Sequence, residues 1–271
     1  MLKEYILFVA LGLLFQLASM IKPFRKQVKN REKTLDLVAC ISVYLVNIGF
    51  FMLMASPILL VSELPFMQAW YQYTAPLSTG MLLIIHLLLI DLLSYWAHRI
   101  MHQQWLWNIH AFHHSQKHIW WLGGMRASPI HVMMMGLPLL ITVILFPAQF
   151  DSWTSLVILI LFLANQHWLH SNVTFPFESK LVYVLVTPQM HFVHHSKKRR
   201  FSDSNYGFMF SFWDRLFGTY TDYTKQPKDD VLGLNYSNST LRLILGIGPK
   251  KRLKASFINT DIHTEVKVVE K

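Results

Sequence analysis

The sequence predicts an all-α protein, a multi-pass transmembrane helical bundle of four or five spans with a histidine-rich helical cap on the cytoplasmic side. Three observations lead to this fold class. Hydrophobic residues form 53% of the 271 residues and lie in long runs, and charged residues form only 15%, against about 25% in a soluble domain. Lysine and arginine gather between some of these runs and avoid others, and the histidines are clustered.

Five apolar segments are candidate spans, because about 20 apolar residues are needed to cross the hydrocarbon core of a bilayer. They are Tyr5–Ile21, Asp36–Val61, Leu77–Ala97, Pro129–Phe146 and Trp153–Trp168. The last two form a hairpin, and because both are short either could be re-entrant. We expect the first to be an uncleaved span and not a signal peptide, because only Lys3 precedes it and no small-residue cleavage site follows.

The basic residues predict the orientation of these spans, because cytoplasmic loops carry an excess of lysine and arginine. The loop between the first two spans holds six, residues 62–76 hold none, residues 98–128 hold three and residues 171–271 hold fifteen. If the first basic loop is cytoplasmic, the other two basic segments lie on that side as well. The predicted location is a bacterial inner membrane or the endoplasmic reticulum, with the histidine site facing the cytoplasm.

The chain divides by composition into three parts. Residues 1–76 are predicted to form a transmembrane hairpin, residues 77–223 a histidine-rich catalytic membrane domain, and residues 224–271 a polar, basic C-terminal tail. Cys40 is the only cysteine, which excludes an internal disulfide and a metal cluster held by several thiolates.

Twelve of the fourteen histidines lie between His98 and His195. They include four motifs whose histidines are three or four residues apart: HRIMH from His98, HAFHH from His110, HWLH from His167 and HFVHH from His191. Residues at these spacings share a helix face, so we expect each motif to present two imidazoles in one direction. The predicted topology puts all four motifs at one membrane face, which indicates a metal site assembled from several elements.

Local signals support this arrangement. Thr187 and Ser128 each precede a proline, which is typical of a capping hydroxyl followed by the first residue of a helix. In the third span, Asp91 and Tyr95 fall on the same face as the HRIMH histidines. An ionisable residue inside a span is a functional-site hypothesis by default, and we expect Asp91 to orient a ligating histidine through its other ring nitrogen.

The residue types limit the choice of metal. Imidazole suits zinc, copper, iron and nickel. A structural zinc site needs four ligands, usually with cysteine, whereas about ten candidate imidazoles without cysteine are enough for two metals. A pair of irons held by neutral ligands fits a centre that activates O2 at a lipid boundary.

HRIMH, HAFHH and HFVHH, followed by NYG (Asn205–Gly207) and WDRLFGTY (Trp213–Tyr220), make the sequence resemble the fatty acid hydroxylase / sterol desaturase superfamily. Its members are integral-membrane, non-haem di-iron oxygenases. The resemblance covers about residues 77–223, over half of the chain. One H-x-x-H-H motif alone would be a weak signal, but the ordered set with its tail motifs is specific.

The resemblance implies a site for two iron ions held by ten histidines. Carried over to this sequence, they are His98, His102, His110, His113, His114, His167, His170, His191, His194 and His195. Asp91, Tyr95 and Asn205 are candidate catalytic residues, although a turn explains Asn205 equally well. Many members have Arg-x-His-Pro after the second motif, and this sequence reads RASPIH. Whether His131 or His118 joins the site therefore stays open.

The resemblance also implies a reaction. O2, as co-substrate, and electrons from a separate donor, such as a ferredoxin or a cytochrome b5, would introduce a hydroxyl group or a double bond into a lipid. The lipid would be a fatty acyl chain or a sterol reached from the bilayer, and no nucleic-acid partner is expected. The sequence does not distinguish hydroxylation from desaturation, identify the lipid or donor, or set the oligomeric state.

Two other functional classes remain open at this point. A haem electron carrier with two histidine ligands would need isolated histidines facing each other within spans, which adjacent pairs such as His113 and His114 fit poorly. A metal transporter would need ionisable residues along a path near the bilayer midplane, where only His86 and Asp91 qualify.

Overall fold

The computed structural model describes residues 2–26, 32–147, 152–227 and 230–249. Helices make up its regular structure, and no β-strand occurs among these residues beyond two isolated bridges. The α-helices are α1 (Leu2–Ile21), α2 (Lys33–Ser62), α3 (Pro65–Thr74), α4 (Thr79–Met101), α5 (Trp107–His110), α6 (Pro129–Leu145), α7 (Ser152–Leu169), α8 (Glu178–Leu181), α9 (Pro188–His194), α10 (Arg199–Ser202), α11 (Phe212–Leu216) and α12 (Thr240–Ile244). The all-α prediction is confirmed.

Each of the five predicted apolar segments forms a helix: α1, α2, α4, α6 and α7. Two of them, α2 and α4, are long and apolar enough to cross a membrane. The others contain shorter apolar stretches over Ile6–Ile21, Pro129–Leu145 and Leu156–Leu169. The long apolar runs therefore predicted the helices correctly, and two of them meet the length of a span.

The surface of α2 is apolar and exposed along most of the helix. Large apolar side chains along it are mostly exposed, including Leu45 at 61%, Met52 at 74% and Leu60 at 71%. A contiguous apolar surface of this kind is unfavourable in water and marks a membrane or protein contact. With the length of the helix, it favours a membrane as the surroundings of α2.

The apolar helices pack in two groups. Helix α6 lies against both α2 and α4, and α1 lies against α7. Gly12 is the contact point of α1, because a Cβ there would come within 2.3 Å of the Trp121 ring. The loop that carries Trp121 therefore passes directly over α1.

Helix α3 lies in the loop between the second and third apolar segments, where the sequence had indicated no helix. Two side chains of α3 bond to the C-terminal end of α6. Trp70 Nε1 donates to the carbonyl of Leu145 at 2.7 Å, and Tyr71 Oη donates to the carbonyl of Ile144 at 2.8 Å. The last carbonyls of a helix have no partner within it. These bonds therefore cap the C-terminal end of α6, which lies away from the histidines.

The predicted helix starts are confirmed. The Ser128 hydroxyl accepts from the His131 amide at 3.3 Å, and the Thr187 hydroxyl accepts from the Met190 amide at 3.2 Å. Proline follows each cap as the first helical residue. Helices α6 and α9 therefore begin where the sequence predicted, and α9 carries the HFVHH motif.

A buried ion-pair network joins the start of α2 to the loop before α6. The Arg126 guanidinium bonds to Asp36 through Nε and to Glu32 through Nη2 at 2.9 Å. Trp120 Nε1 also donates to Asp36, at 2.5 Å. Arg126 and Asp36 are both nearly fully buried, so their charges depend on each other. The backbone carbonyl of Arg126 contacts the histidine site, described below.

Part of the segment assigned to a C-terminal tail packs on this body. Leu243 of α12 joins a buried cluster with Ala39, Ala111 and Phe112. The Tyr236 hydroxyl accepts from Trp107 Nε1 at 3.0 Å. Residues 230–249 therefore cover the HAFHH region, and residues 228–229 and 250–271 of the predicted tail lie outside the described residues.

Removing the Arg126 side chain should strongly destabilise the fold. Arg126→Ala leaves the buried Asp36 carboxylate without its cation, which costs about 3–5 kcal/mol. We expect a clear loss of thermal stability in detergent. Arg200→Ala, which removes an exposed cation, is the control and should match the wild type. Equal unfolding temperatures for both variants would show that the network does not stabilise the fold.

Candidate metal centre

Nine buried histidines converge into two groups of potential metal ligands. In each group, one nitrogen from every ring lies within 4.8 Å of all the others. The five-histidine group contains His98, His102, His110, His114 and His194. The four-histidine group contains His113, His170, His191 and His195. Both groups consist of imidazoles alone, so each would present neutral ligands to a cation.

Separate elements supply these rings. His98 lies in the last turn of α4 and His102 caps that helix. His191 and His194 lie on α9 and His195 caps it. Helix ends suit the assembly of a metal site, because the chain can turn there and bring several rings to one point. Sequence-distant elements are therefore held together by the site.

The HAFHH motif does not form one helix face as predicted. Helix α5 ends at His110, and His113 and His114 lie in a separate 3-10 turn over His113–Ser115. His110 and His114 join the five-histidine group, and His113 joins the four-histidine group. The motif thus contributes to both groups from two short turns.

Hydrogen bonds fix the orientation of several rings. Nδ1 of His98 donates to the Tyr206 carbonyl at 2.9 Å, and Nδ1 of His194 donates to the Ser204 carbonyl at 2.7 Å. In the four-histidine group, Nδ1 of His113 bonds to the Arg126 carbonyl at 3.3 Å. A carbonyl only accepts, so Nδ1 carries the proton and Nε2 keeps its lone pair for a metal.

The lone pairs of these rings face one another. Nε2 of His170 lies 3.1 Å from Nε2 of His191, which lies 3.0 Å from Nε2 of His195. His170 Nδ1 lies 3.2 Å from the Gln166 carbonyl, so its Nε2 has no proton to share. Nε2 of His102, His114 and His194 is buried without a hydrogen-bond partner in the described structure. A bound cation would satisfy all of these nitrogens, and the residues present therefore fit a metal.

Burial keeps these rings neutral. Desolvation lowers the pKa of His170 to about 4. It also lowers the pKa values of His102, His110, His113, His114, His191, His194 and His195 well below the ordinary value, with neighbouring histidines adding to the effect. A metal binds the neutral form of imidazole. At neutral pH the site is therefore ready to bind a cation without first losing protons.

The segment from Asn205 to Tyr220 supports the five-histidine group. The Asp214 carboxylate accepts from the amides of Tyr206 at 2.7 Å and Gly207 at 2.9 Å, and from the Thr219 hydroxyl at 2.7 Å. The Tyr206 ring packs against His98, at 5.8 Å between ring centroids. Asp214 thus fixes the turn whose carbonyl orients His98, a role that the sequence did not indicate.

The three candidate catalytic residues have structural partners. The Asp91 carboxylate accepts hydrogen bonds from the amides of Met209 and Phe210 and from Trp213 Nε1, at 2.7, 2.9 and 2.9 Å. The expectation that Asp91 orients a histidine was therefore wrong. It anchors the chain segment before α11 to α4, where three donors satisfy its carboxylate.

Tyr95 and Asn205 also lie beside the site without joining either group. The Tyr95 hydroxyl bonds to Thr219 Oγ1 at 2.8 Å. Asn205 adopts a positive φ of 56° and its side chain accepts from the Thr221 amide at 2.8 Å. Asn205 therefore shapes the turn before Tyr206.

His167 lies apart from both groups. Its Nε2 is 3.0 Å from the Phe8 carbonyl, and its ring packs against Phe8 and Trp121 at 4.5 and 5.0 Å between centroids. His170 follows the end of α7, where the chain turns towards α9. The two histidines of HWLH therefore point to different neighbours.

Two further residues border the groups. His131 is buried with its ring centroid 4.6 Å from that of His110, although it belongs to neither group. Gln116 is buried against the four-histidine group, with Nε2 3.3 Å from His195 Nδ1. The sequence gave no signal for Gln116, because a lone glutamine after H-x-x-H-H has no distinctive spacing. His118 is only partly buried and lies outside both groups.

The described residues are helical and bring together two adjacent groups of buried imidazoles that could hold metal ions. The chain belongs to the fatty acid hydroxylase family, whose model matches residues 83–219. This confirms the resemblance found in the sequence. The matched region includes all nine of the clustered histidines, from the end of α4 to α9, and the supporting segment that follows.

Two kinds of enzyme are among its relatives. Alkylglycerol monooxygenase of Danio rerio is 28% identical over 191 residues, which are 67% of this chain and 36% of the relative. The human alkylglycerol monooxygenase is 28% identical over 196 residues, 67% of this chain and 37% of the relative. Very-long-chain aldehyde decarbonylase GL1-10 of Oryza sativa subsp. japonica is 27% identical over 236 residues, 79% of this chain and 76% of the relative. The chain thus spans little more than a third of the monooxygenases. No solved structure matches it.

Asp214→Ala should weaken metal binding without removing a ligand. The turn at Tyr206 would lose its anchor, and loss of a group that positions a metal-ligating histidine typically lowers affinity by about 10–100-fold. Competition with a chromophoric chelator measures this change in the purified protein. Asp222→Ala removes a carboxylate that caps a nearby turn and is the control. An unchanged affinity in Asp214→Ala would contradict the role given to Asp214.

Proposed function

We propose that this protein is a membrane-bound di-iron oxidoreductase. It would use O2 and electrons from a separate donor protein to hydroxylate or desaturate the alkyl chain of a lipid. The observation that carries the proposal is the pair of adjacent, buried groups of neutral imidazoles. Two ligand groups in contact with each other suit two metal ions, and imidazole suits iron.

The two groups touch at several points, which supports a paired site. The ring centroids of His113 and His110 are 5.0 Å apart, and those of His114 and His195 are 4.7 Å apart. Each of these pairs has one ring in each group. The His113–His114 peptide links the groups covalently. These contacts would hold two ions at a fixed separation.

The chain's own contribution to the reaction is orientation and exclusion of water. An iron pair, when bound, would supply the chemistry with O2. Carbonyls of Tyr206, Ser204 and Arg126 accept from Nδ1 of His98, His194 and His113, which leaves Nε2 of each ring free to hold a metal ion. The rings of Trp107 and Tyr206 pack on His102 at 5.2 and 5.0 Å between centroids and close one side of the five-histidine group.

The relatives support a lipid with an alkyl chain as substrate. One name describes a monooxygenase of alkylglycerols and the other a decarbonylase of very-long-chain aldehydes. Both substrates carry an alkyl chain, although the two reactions differ. The choice between hydroxylation and desaturation in this protein is therefore left to the product analysis below.

The two other functional classes fit the site less well. Nitrogens within 4.8 Å of one another across five rings leave no space for a porphyrin between opposed histidines. For a transporter, the intramembrane candidates have local partners: Asp91 binds two amides and an indole, and His86 Nδ1 lies 2.7 Å from the Leu82 carbonyl. Neither arrangement indicates a conduction path.

We further propose a multi-pass topology with the histidine site at the cytoplasmic face. Contacts between the first basic loop and the site region support one common side for both. The Thr174 amide donates to the Lys22 carbonyl at 2.7 Å, and the Arg25 amide donates to Asn172 Oδ1 at 3.1 Å. Basic residues near membrane-spanning helices favour the cytoplasmic side, and the site would follow.

Comparative lipidomics tests the proposed reaction. Cells that express the wild type should contain an oxygenated or desaturated lipid that is missing from cells expressing His194→Ala, because that variant removes a ring from the five-histidine group. His263→Ala, which changes a histidine far along the chain from the four motifs, is the matched control and should form the product. If wild-type and His194→Ala cells have the same lipids, the proposed function fails.

Single-cysteine labelling tests the proposed orientation. In a Cys40→Ser background, Lys197→Cys puts a thiol beside the site and Glu63→Cys puts one in the loop before α3, and both positions are exposed. A membrane-impermeant maleimide should label Glu63→Cys in intact spheroplasts and Lys197→Cys only after permeabilisation. The reverse pattern would place the site on the outer side.

A further inference from the structure

A large cleft opens beside the four-histidine group. It has a volume of about 1590 Å³ and lies between α1, the loop before Gly123 and residues 223–226 and 230–232. Helix α1 and the aromatic residues give it apolar walls, with Leu13, Met20, Phe24 and Trp121 among them. Such a surface fits an alkyl chain, because transfer of apolar surface out of water is favourable.

Cations lie around the same cleft. Arg25, Lys26, Lys33 and Lys117 line it, and the three lysines are exposed. Asp230 is the single carboxylate among the described lining residues, and Glu32, which precedes Lys33, lies 3.8 Å from Lys117. Asp230 accepts from Ser196 at 2.6 Å and from Gln226 at 2.8 Å, and Lys198 lies 3.7 Å away. The cleft therefore carries a clear excess of positive charge.

The inner end of the cleft lies next to the four-histidine group. A smaller cavity is lined by His170, His191 and His195 of the four-histidine group. It shares Ile119, Phe192 and Leu232 with the large cleft. The inner cavity has a volume of about 10 Å³, and the three shared residues separate it from the cleft. The side chains of Ile119 and Phe192 must therefore move aside before an alkyl chain in the cleft can reach the four-histidine group.

We propose that this cleft binds a lipid with an anionic phosphate or carboxylate head and directs its alkyl chain to the four-histidine group. The head would lie near Lys33 and Lys117, and the chain would run along α1 and past Ile119 and Phe192. A sterol or a neutral hydrocarbon would offer these cations no counter-charge. This substrate class rests on the proposed function, but the binding itself requires no metal.

Photo-crosslinking tests the cleft in the full-length protein without metal. The protein is placed in phosphatidylcholine nanodiscs that contain a diazirine-bearing phosphatidic acid, fatty acid or phosphatidylcholine, and the adducts are mapped by mass spectrometry. We expect the anionic probes to label residues that line the cleft, and to do so more than the neutral probe. Labelling by one anionic probe alone identifies its head as phosphate or carboxylate.

The charge dependence has a matched control. The double variant Lys33→Gln and Lys117→Gln should lower labelling in the cleft by about tenfold, because each cation near a membrane surface attracts an anionic head. Lys180→Gln removes an exposed cation outside the cleft and should match the wild type. These surface changes leave the core intact, so folding does not confound the result.

Two results would overturn the inference: equal labelling by the neutral and anionic probes, or adducts confined to lipid-facing residues such as those of α2. Either result leaves the product test with His194→Ala unaffected, since crosslinking requires no turnover. Conversely, charge-dependent labelling in the cleft would stand even if no oxidised lipid were found. The two proposals can therefore fail separately.

Discussion

The structure depends on one electrostatic constraint, which is that unprotonated imidazole nitrogens face one another in a buried space. Carbonyls hold the Nδ1 protons of His98, His194 and His113, so the lone pairs on Nε2 point inward. Lone pairs in contact repel, and burial removes the water that would otherwise satisfy them. A cation relieves both costs. The short turns, the helix ends and the Asp214 anchor all serve to maintain this arrangement.

A second requirement is to place this polar centre next to apolar helices. Three buried carboxylates make such connections: Asp36 binds Arg126 and Trp120, Asp91 binds α11 and the segment before it, and Asp214 binds the turn at Tyr206. Each carboxylate joins elements that are far apart in the sequence or fixes a turn beside the site. Polar anchors therefore position the histidines where apolar packing alone would allow the helices to slide.

The sequence predicted the parts of this protein that local physics controls. Apolar runs fixed the five long helices, and the Ser-Pro and Thr-Pro pairs fixed two helix starts. It failed where the chain leaves regular geometry. HAFHH was read as one helix face, whereas a break after His110 sends His113 to the other group. HWLH spans the end of α7, so His167 and His170 diverge. The partners of Asp91 are more than a hundred residues away, beyond any local pattern.

The adjacency of His113 and His114 has a consequence for assembly. Consecutive residues serve different groups, so one peptide unit transmits any movement at one group to the other. An ion that enters either group would fix this peptide and pre-order the second group. Occupancy of one group would therefore affect the other, so the two groups would not bind ions independently.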